Sequence, residues 1–185
     1  KNILNYMCYG EWKANEGDMD ISTEKISPNL DFKVYKCPWY TVWKEKGMLE
    51  YGCLYCNDID ESLVRGYNKE ITLEVLKNRP QGSEFCDFSF KDVNLKNSDF
   101  EELAKVKNTL GNSAIMEWDY HIGHIYKVIK ENTINKYGKE GNLIIEQSLN
   151  EFGDIYNKNY IDIIKEYDEV DFSILPQNKN SGDAK

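Results

Sequence analysis

The sequence predicts an α+β fold, in which several helices pack on a small sheet that contains antiparallel strands. Three short segments in the middle of the chain, residues 31–37, 70–75 and 85–90, alternate apolar and polar residues, which is typical of half-buried strands. Most of the chain after residue 98 has apolar residues at spacings of three and four, which indicates helices. Because strands fill one block and helices another, the pattern indicates an α+β domain.

The first predicted strand follows residues 1–30, in which no clear periodicity indicates an element. In the segment DFKVYKC, Phe32 and Val34 alternate with polar neighbours, as in a strand with one buried face. Pro38 then ends the strand before a cluster of aromatic residues, because proline has no N–H for a strand ladder. The sequence therefore predicts a strand here and leaves the first thirty residues without an element.

The clearest helix is predicted between Gly47 and Gly66, and Gly66 is expected to end it. The apolar or small residues that recur there at helical spacing are Met48, Gly52, Tyr55, Ile59 and Leu63. Two alternating segments follow, and the linker KNRPQGSE between them contains Pro80 and Gly82, which indicates a hairpin connection. The middle of the chain is therefore predicted to be strand, helix, strand, strand.

Four helices are predicted in the rest of the chain. Ser98 and Glu101 have the spacing of a capping box, which would open a helix that ends near Leu110. A second helix is expected from about Ser113 and a third from about Gly141. Each of these helices has apolar residues on one stripe. In the second helix they are Trp118, Ile122, Ile125 and Ile129, and in the third they are Ile145, Leu149, Phe152 and Tyr156. A short fourth helix carries Tyr160, Ile164 and Tyr167.

Composition limits the domain organisation and the partners of this chain. Its 185 residues suit a single domain over residues 1–176, with a flexible C-terminal tail of polar composition over 177–185. The 23 basic and 32 acidic residues sum to a net charge of −9, which argues against a nucleic-acid partner. No apolar run approaches the roughly 20 residues of a membrane span, so no membrane partner is expected. Five cysteines without an export signal predict free thiols and a cytoplasmic location.

Two groups of residues are candidates for chemistry. Cys53, Cys56 and Asp60 fall at i, i+3 and i+7 on the central helix, so they share one face. A carboxylate raises the pKa of a nearby thiol, but it can orient a histidine, bind a cationic group or move a proton. The histidines of the sequence are His121 and His124, and a neutral imidazole can deprotonate a thiol or a water near pH 7. The alternative for both groups is structural: a core cysteine pair beside a solvated acid, and histidines that only pack.

A zinc site is the main rival to this chemistry. Cys53, Cys56, Cys86 and a histidine would form a Cys₃His ligand set, which zinc accepts. The cysteine pair lies within a predicted helix rather than on a knuckle turn, and the other ligands are 30 or more residues away. We therefore expect no bound metal and no other cofactor.

Four motifs occur together in the middle of the chain. They are Cys37-Pro38 before an aromatic-rich segment, Cys56 followed by Asp60-Glu61 on a helix, Gly66-Tyr67-Asn68, and Cys86-Asp87-Phe88 on a strand. With this combination the sequence resembles the L-2-amino-thiazoline-4-carboxylic acid hydrolase family. The family-like core covers about residues 31–155, and the later segment WDYHIGHIYK resembles a helix found downstream in such proteins.

The resemblance implies that a small heterocycle such as 2-amino-thiazoline-4-carboxylate is opened to N-carbamoyl-cysteine. Water adds at the amidine-like carbon and the ring sulfur departs, which requires an activated attacker and a proton donor for the sulfur. We assign Cys56 as nucleophile or contact thiol, His121 as general base, and Asp60 as orienting group or amidinium partner. The further candidates for substrate binding are His124, Asn68, Cys86 and Arg65, with Arg79 as the other arginine that could hold the substrate carboxylate.

A second function from a different class stays open at this stage. The hairpin that ends in Cys86-Asp87-Phe88 is also similar to four-vinyl-reductase-type domains, which bind small molecules without necessarily turning them over. The high tyrosine and tryptophan content suits such a site, because aromatic residues form large apolar pockets with polar rims. Either function implies a small-molecule partner, and the sequence is compatible with a homo-oligomer.

Overall fold

The computed structural model describes residues 2–174, which belong to two compact units. The first unit extends to Ala114, and the second begins at Ile115. The predicted single domain over residues 1–176 therefore includes two units, each with its own internal contacts. The prediction of a flexible tail over residues 177–185 lies outside the described residues.

The first unit has an α+β fold, as the sequence predicts. Its elements in chain order are α1 (Ile3–Cys8), β1 (Asp20–Lys25), β2 (Leu30–Lys36), α2 (Pro38–Glu45), α3 (Leu49–Tyr67), β3 (Leu73–Lys77), β4 (Cys86–Phe90) and α4 (Asn97–Leu110). The four strands form one sheet in the order β1-β2-β4-β3, and every neighbouring pair is antiparallel. The predicted hairpin between β3 and β4 is confirmed by their direct pairing.

One face of the sheet forms the core of this unit. The register pairs Leu30 with Phe90, Phe32 with Phe88, and Val34 with Cys86. Because successive side chains of a strand point to opposite faces, these six side chains share one face. Val64 of α3 and Ile3 of α1 belong to the same buried cluster, so both helices cover this face. Cys86 thus lies on the side of the sheet that faces α3.

Pro38 and Gly66 have different roles from those that the sequence suggested. Pro38 does follow the end of β2, but it is also the first residue of α2, where its missing N–H and fixed φ favour a helix start. Gly66 does not end α3, because the helix continues through Tyr67. Asn68 is the residue after the helix, and its N–H donates to the carbonyl oxygen of Val64 at 2.9 Å.

The start of α4 also differs from the prediction, although its end at Leu110 is confirmed. The residue before the helix is Lys96 rather than Ser98. The backbone N–H of Lys96 donates to the carboxylate of Asp99 at 2.7 Å, so Asp99 and not Glu101 closes the capping interaction. Lysine is not an N-cap residue of the capping-box pattern, which is why the pattern selects Ser98 instead of Lys96.

The second unit is helical over its described residues. It contains α5 (Trp118–Tyr137), α6 (Lys139–Ile155), α7 (Asn159–Lys165) and a 3-10 helix (Glu166–Glu169). Ile145 and Leu149 of the predicted α6 stripe are buried, and Gly141 allows close approach to α5, since a Cβ there would lie 2.6 Å from the carbonyl oxygen of Thr133. The α5 stripe is instead between 44% and 54% exposed at Trp118, Ile122, Ile125 and Ile129.

Among the described helices of both units, none has the length and apolar character needed to cross a membrane.

Candidate active site

Cys56 and Asp60 lie on the side of α3 that faces the core. Gly52, Cys56, Asp60 and Val64 follow one another at intervals of four residues, which aligns their side chains along one face of the helix. The two ends of this line are buried, and Val64 is only 1% exposed. Cys56 and Asp60 are half-buried between them. These two side chains therefore share one face, as their spacing predicts.

Two further cysteines lie at one end of the sheet, close to this line. Cys37 directly follows β2, and Cys86 is the first residue of β4. Because β2 and β4 are antiparallel, the end of one strand lies beside the start of the other. Both thiols are near enough to affect the pKa of Cys56. The structure thus brings Cys37, Cys56, Asp60 and Cys86 into one neighbourhood, and the sequence analysis did not include Cys37 among its site residues.

The environment of Cys56 keeps its thiol protonated at neutral pH. Burial raises the pKa of Cys56 to about 12, and the nearby Asp60 carboxylate and the Cys37, Cys86 and Cys53 thiols add to this rise. A thiolate at Cys56 would therefore form only if a base took its proton during the reaction, or if a cationic ligand lowered its pKa.

Asp60 is an ionisable group of this neighbourhood whose pKa is moved toward neutral pH. Burial, and then the charge of Glu61, raises the pKa of Asp60 to about 6. Glu61 is held in place by the sheet, because its carboxylate accepts a hydrogen bond of 3.0 Å from the backbone N–H of Val75 in β3. A carboxyl group with a pKa of about 6 can both accept and release a proton near pH 7.

Aromatic side chains surround the same part of α3. Burial raises the pKa of both Tyr6 of α1 and Tyr55, and the charge of Asp60 adds to each shift, so both hydroxyl groups lie near this carboxyl. Trp43 of α2 packs on Gly52, where a Cβ would come within 2.5 Å of the indole. Glycine at position 52 is therefore what lets α2 lie close to α3. Tyr6 comes from the segment that showed no periodicity, so no sequence signal indicated it.

The loop between β3 and β4 is fixed at the same end of the sheet. The N–H of Gly82 donates to the carbonyl oxygen of Arg79 at 2.9 Å, which closes a turn with Pro80 at its second position. The side-chain amide of Gln81 donates to Oδ1 of Asn57 at 2.8 Å. Asn57 follows Cys56 on α3, so this hydrogen bond ties the loop to the helix beside the thiol.

Arg79 lies next to Cys86 in this loop. Its backbone N–H donates to Sγ of Cys86 at 3.4 Å. Burial raises the pKa of Cys86, and this hydrogen bond and the charge of Arg79 act against that rise. The guanidinium lies over the ring of Tyr40, with Cζ 4.0 Å from the ring centroid. Nε of Arg79 is buried, and within residues 2–174 it has no hydrogen-bond partner.

Arg65 and Asn68 lie toward the other end of α3. At a rise of 1.5 Å per residue they are about 14 and 18 Å along the helix axis from Cys56. Arg65 is exposed and donates from Nη2 to the hydroxyl of Ser62 at 2.9 Å. Oδ1 of Asn68 accepts a hydrogen bond of 3.0 Å from the N–H of Glu70, within the turn that follows the helix. The assignment of these two residues to substrate binding stays a prediction.

His121 and His124 both belong to the second unit, on α5. His121 makes edge contacts with Trp118 and Tyr120, at centroid distances of 5.6 and 5.8 Å. His124 stacks on Phe172 at 4.3 Å and lines a cavity of about 280 Å³ within that unit. Their assigned roles, general base for His121 and substrate contact for His124, stay predictions.

The zinc alternative finds no support in the arrangement of the donor groups. Within the part of the chain that the structure describes, no three or more histidine, cysteine, aspartate or glutamate side chains are arranged as a metal site. The cysteine pair Cys53 and Cys56 lies inside α3, as expected, and not on a knuckle turn.

Comparison with known proteins bears on the first unit. Searches of the curated proteins and of the solved structures return no match. A family model matches residues 2–90, just under half of the chain, and this range contains Cys56, Asp60, Cys86 and Arg79 but ends before both histidines. It also includes residues 2–30, to which the sequence analysis assigned no element. The matching model is that of the L-2-amino-thiazoline-4-carboxylic acid hydrolase family, which confirms, over these residues, the resemblance that the cysteine and aromatic motifs indicate.

Proposed function

We propose that this protein is a hydrolase that opens a small sulfur-containing ring of the 2-amino-thiazoline-4-carboxylate class. The observation that carries the proposal is the half-buried carboxyl of Asp60, whose pKa is raised to about 6 beside the thiols of Cys56 and Cys86. The family match over residues 2–90 supports the reaction class and covers all three residues.

The reaction needs a group that accepts a proton and later returns it. When water adds to the amidine-like carbon, Asp60 takes one of its protons, and the new C–O bond makes that carbon tetrahedral. The ring nitrogen, which has taken the electron pair of its double bond to this carbon, receives the remaining hydroxyl proton. The bond between this carbon and the ring sulfur then breaks as the C=O bond forms, and the proton held by Asp60 passes to the departing sulfur. The product is N-carbamoyl-cysteine with a free thiol, and Asp60 returns to its ionised form. A pKa near the working pH suits both transfers.

Cys56 has one of two roles in this scheme. As a contact thiol it remains protonated and packs against the ring, which its raised pKa favours. As a nucleophile it would give its proton to Asp60 while its sulfur attacks the amidine-like carbon. The bond from this carbon to the ring sulfur would then break, and the ring sulfur would take the proton from Asp60. Water would finally displace the Cys56 sulfur, return a proton to it and release the product. A protonated amidine ring carries positive charge, so its binding would lower the pKa of Cys56 and assist this second route. Mass spectrometry of the protein during turnover separates the two, because only the nucleophile forms a covalent adduct at Cys56.

The test is the release of new thiol from 2-amino-thiazoline-4-carboxylate by the full chain. We expect release by the parent protein and at least a roughly 10²-fold loss in Asp60→Asn, the usual scale for removing a proton-transfer group. Asp58→Asn is the matched control, since Asp58 is an exposed acid on the same helix. A parent protein that binds the compound without releasing thiol would refute the hydrolase and favour a small-molecule-binding domain. A parent protein that neither binds nor hydrolyses it would refute both.

His121 is the rival for the role of general base. The variant His121→Gln is measured in the same assay as Asp60→Asn. Loss of thiol release in His121→Gln with retention in Asp60→Asn would assign proton transfer to the histidine and overturn the role of Asp60.

A further inference from the structure

We propose that Arg79, held over the ring of Tyr40, is the residue that selects substrates carrying a carboxylate. The inference rests on the proposed function for the identity of the ring, but binding tests it without any turnover. It assigns to the β3–β4 loop a specificity role that the reaction at Asp60 does not itself require.

The guanidinium of Arg79 has unused hydrogen-bonding capacity. Its Nε is buried and has no hydrogen-bond partner among the described residues, although a buried donor without a partner is costly. An arginine presents its N–H groups in a planar fork that matches the two oxygens of a carboxylate. Because Nε is buried, the side chains around it must shift to admit a carboxylate, which would then satisfy this donor together with a neighbouring amino group of Arg79 and neutralise the charge.

The backbone and the guanidinium of Arg79 are restrained before any ligand binds. The ring of Tyr40 lies 4.0 Å from Cζ, so stacking restricts the plane of the guanidinium. The backbone of Arg79 is held by the turn at Pro80 and by its N–H donation to Cys86. Gln81 ties the loop to Asn57, the residue after Cys56. A cation held in this way loses little conformational freedom when it binds an anion, which favours affinity.

Arg79 also suits this role better than the other arginine of the sequence. Arg65 is exposed on α3, donates to Ser62, and lies about 14 Å along the helix from Cys56 at 1.5 Å per residue. The charge of Arg79, in contrast, lowers the pKa of Cys86, and the Cys86 thiol in turn raises the pKa of Cys56. Arg79 is therefore the arginine that adjoins Cys86, and a ring bound against this thiol would meet its charge.

The experiment compares two ligands, 2-amino-thiazoline-4-carboxylate and 2-amino-thiazoline without the carboxylate. Calorimetry measures their dissociation constants in the Asp60→Asn background, where turnover does not consume the ligand, with Arg79 retained as the parent and with Arg79→Gln or Arg79→Lys. We expect the parent to prefer the carboxylate compound by roughly 10- to 100-fold, the scale of a charge-assisted hydrogen-bonded pair. Arg79→Gln should abolish this preference by weakening only the carboxylate compound, and Arg79→Lys should restore part of it, since it keeps the charge without the fork.

Two comparisons make the result specific. Lys105 is an exposed residue of α4 in the same unit, so Lys105→Gln removes one positive charge and should leave the preference for the carboxylate compound unchanged. Arg65→Gln tests the rival arginine, and a loss of preference there with retention in Arg79→Gln would overturn the proposal. A parent chain that binds both compounds equally would also overturn it. Absence of thiol release with the preference intact would refute the hydrolase while leaving Arg79 as the carboxylate-binding residue.

Discussion

Asp60 lies one helical turn after Cys56 on the core-facing side of α3, and its carboxylate contributes to the raised pKa of that thiol. Burial is the larger cause, and with the added effect of the nearby thiols the pKa of Cys56 reaches about 12. Asp60 itself titrates at about 6, because burial disfavours its charged form. The pair thus holds an acid that ionises near neutral pH beside a thiol that does not, which separates their chemical roles.

Removing the charge of Asp60 should make Cys56 more reactive. In Asp60→Asn the burial of Cys56 is retained but the negative neighbour is lost, so its pKa falls and more thiolate is present at any pH below it. Each pKa unit lost gives about tenfold more thiolate, but a thiolate of lower pKa is a weaker nucleophile. We therefore expect alkylation to become roughly threefold faster for each unit lost. The measurement is alkylation by iodoacetamide between pH 7 and 9, resolved for each cysteine by peptide mass spectrometry. Asp58→Asn is the control, and equal rates in both variants would show that Asp60 does not act on Cys56.

Asp60 should also reduce the stability of the fold at neutral pH. Its pKa is about 6 in the folded protein and 3.8 in an unfolded chain, so the folded state holds the proton more tightly. The contribution of the protonated carboxyl to the free energy of unfolding is present in full below about pH 4, and it is lost as the pH rises through 6. Asp60→Asn keeps a neutral side chain at every pH, so we expect it to be more stable than the parent by roughly 1–2 kcal/mol at pH 7. Denaturant unfolding at pH 7 and pH 4 measures this difference, which should nearly vanish at pH 4; a variant less stable than the parent at pH 7 would contradict the raised pKa.

Turnover should depend on the ionised form of Asp60. Because the carboxylate is the proton acceptor, the rate at low substrate should fall as the pH drops through about 6. The pH profile of thiol release, measured between pH 4.5 and 8, locates this limb. Histidine titrates in a similar range, so the profile is repeated with His121→Gln. If His121→Gln keeps the same fall in rate at low pH, the fall is assigned to Asp60. If the fall disappears in that variant, it is assigned to His121.

The contact between α2 and α3 should be sensitive to one methyl group. In Gly52→Ala the new Cβ would lie 2.5 Å from the Trp43 indole, so α2 or the tryptophan must move. We expect a loss of roughly 1–3 kcal/mol in unfolding free energy, since overpacking outweighs the gain in helix propensity.

The matched control for this change is Gly66→Ala. Gly66 is exposed on the same helix, and its Cβ would have open space, so the variant should gain up to about 1 kcal/mol. Equal effects of the two substitutions on the thermal midpoint would show that Trp43 does not pack on position 52.

The fold could be predicted wherever a local pattern had one interpretation. Alternation located β2 and β4, and helical spacing located α3 and α6. Elements without such a signal were missed. β1 is mostly exposed on both faces, so its residues do not alternate, and α2 follows a proline that the pattern treats only as a breaker. The end of α3 was misplaced at Gly66 because the backbone leaves the helical conformation only at Asn68, which is extended, and not at the nearest glycine.

By itself, the sequence determined the α+β class, the resemblance to a family over residues 2–90, and the shared face of Cys56 and Asp60, because each depends on residues close together in the chain. Only the tertiary structure decided which other groups lie near that face. Cys37, Cys86 and Arg79 come from the ends of three antiparallel strands, and such ends meet only when the sheet forms. The raised pKa values of Cys56 and Asp60 likewise arise from burial by α1, α2 and the sheet. Burial depends on the packing of distant segments, which spacing along the chain does not encode.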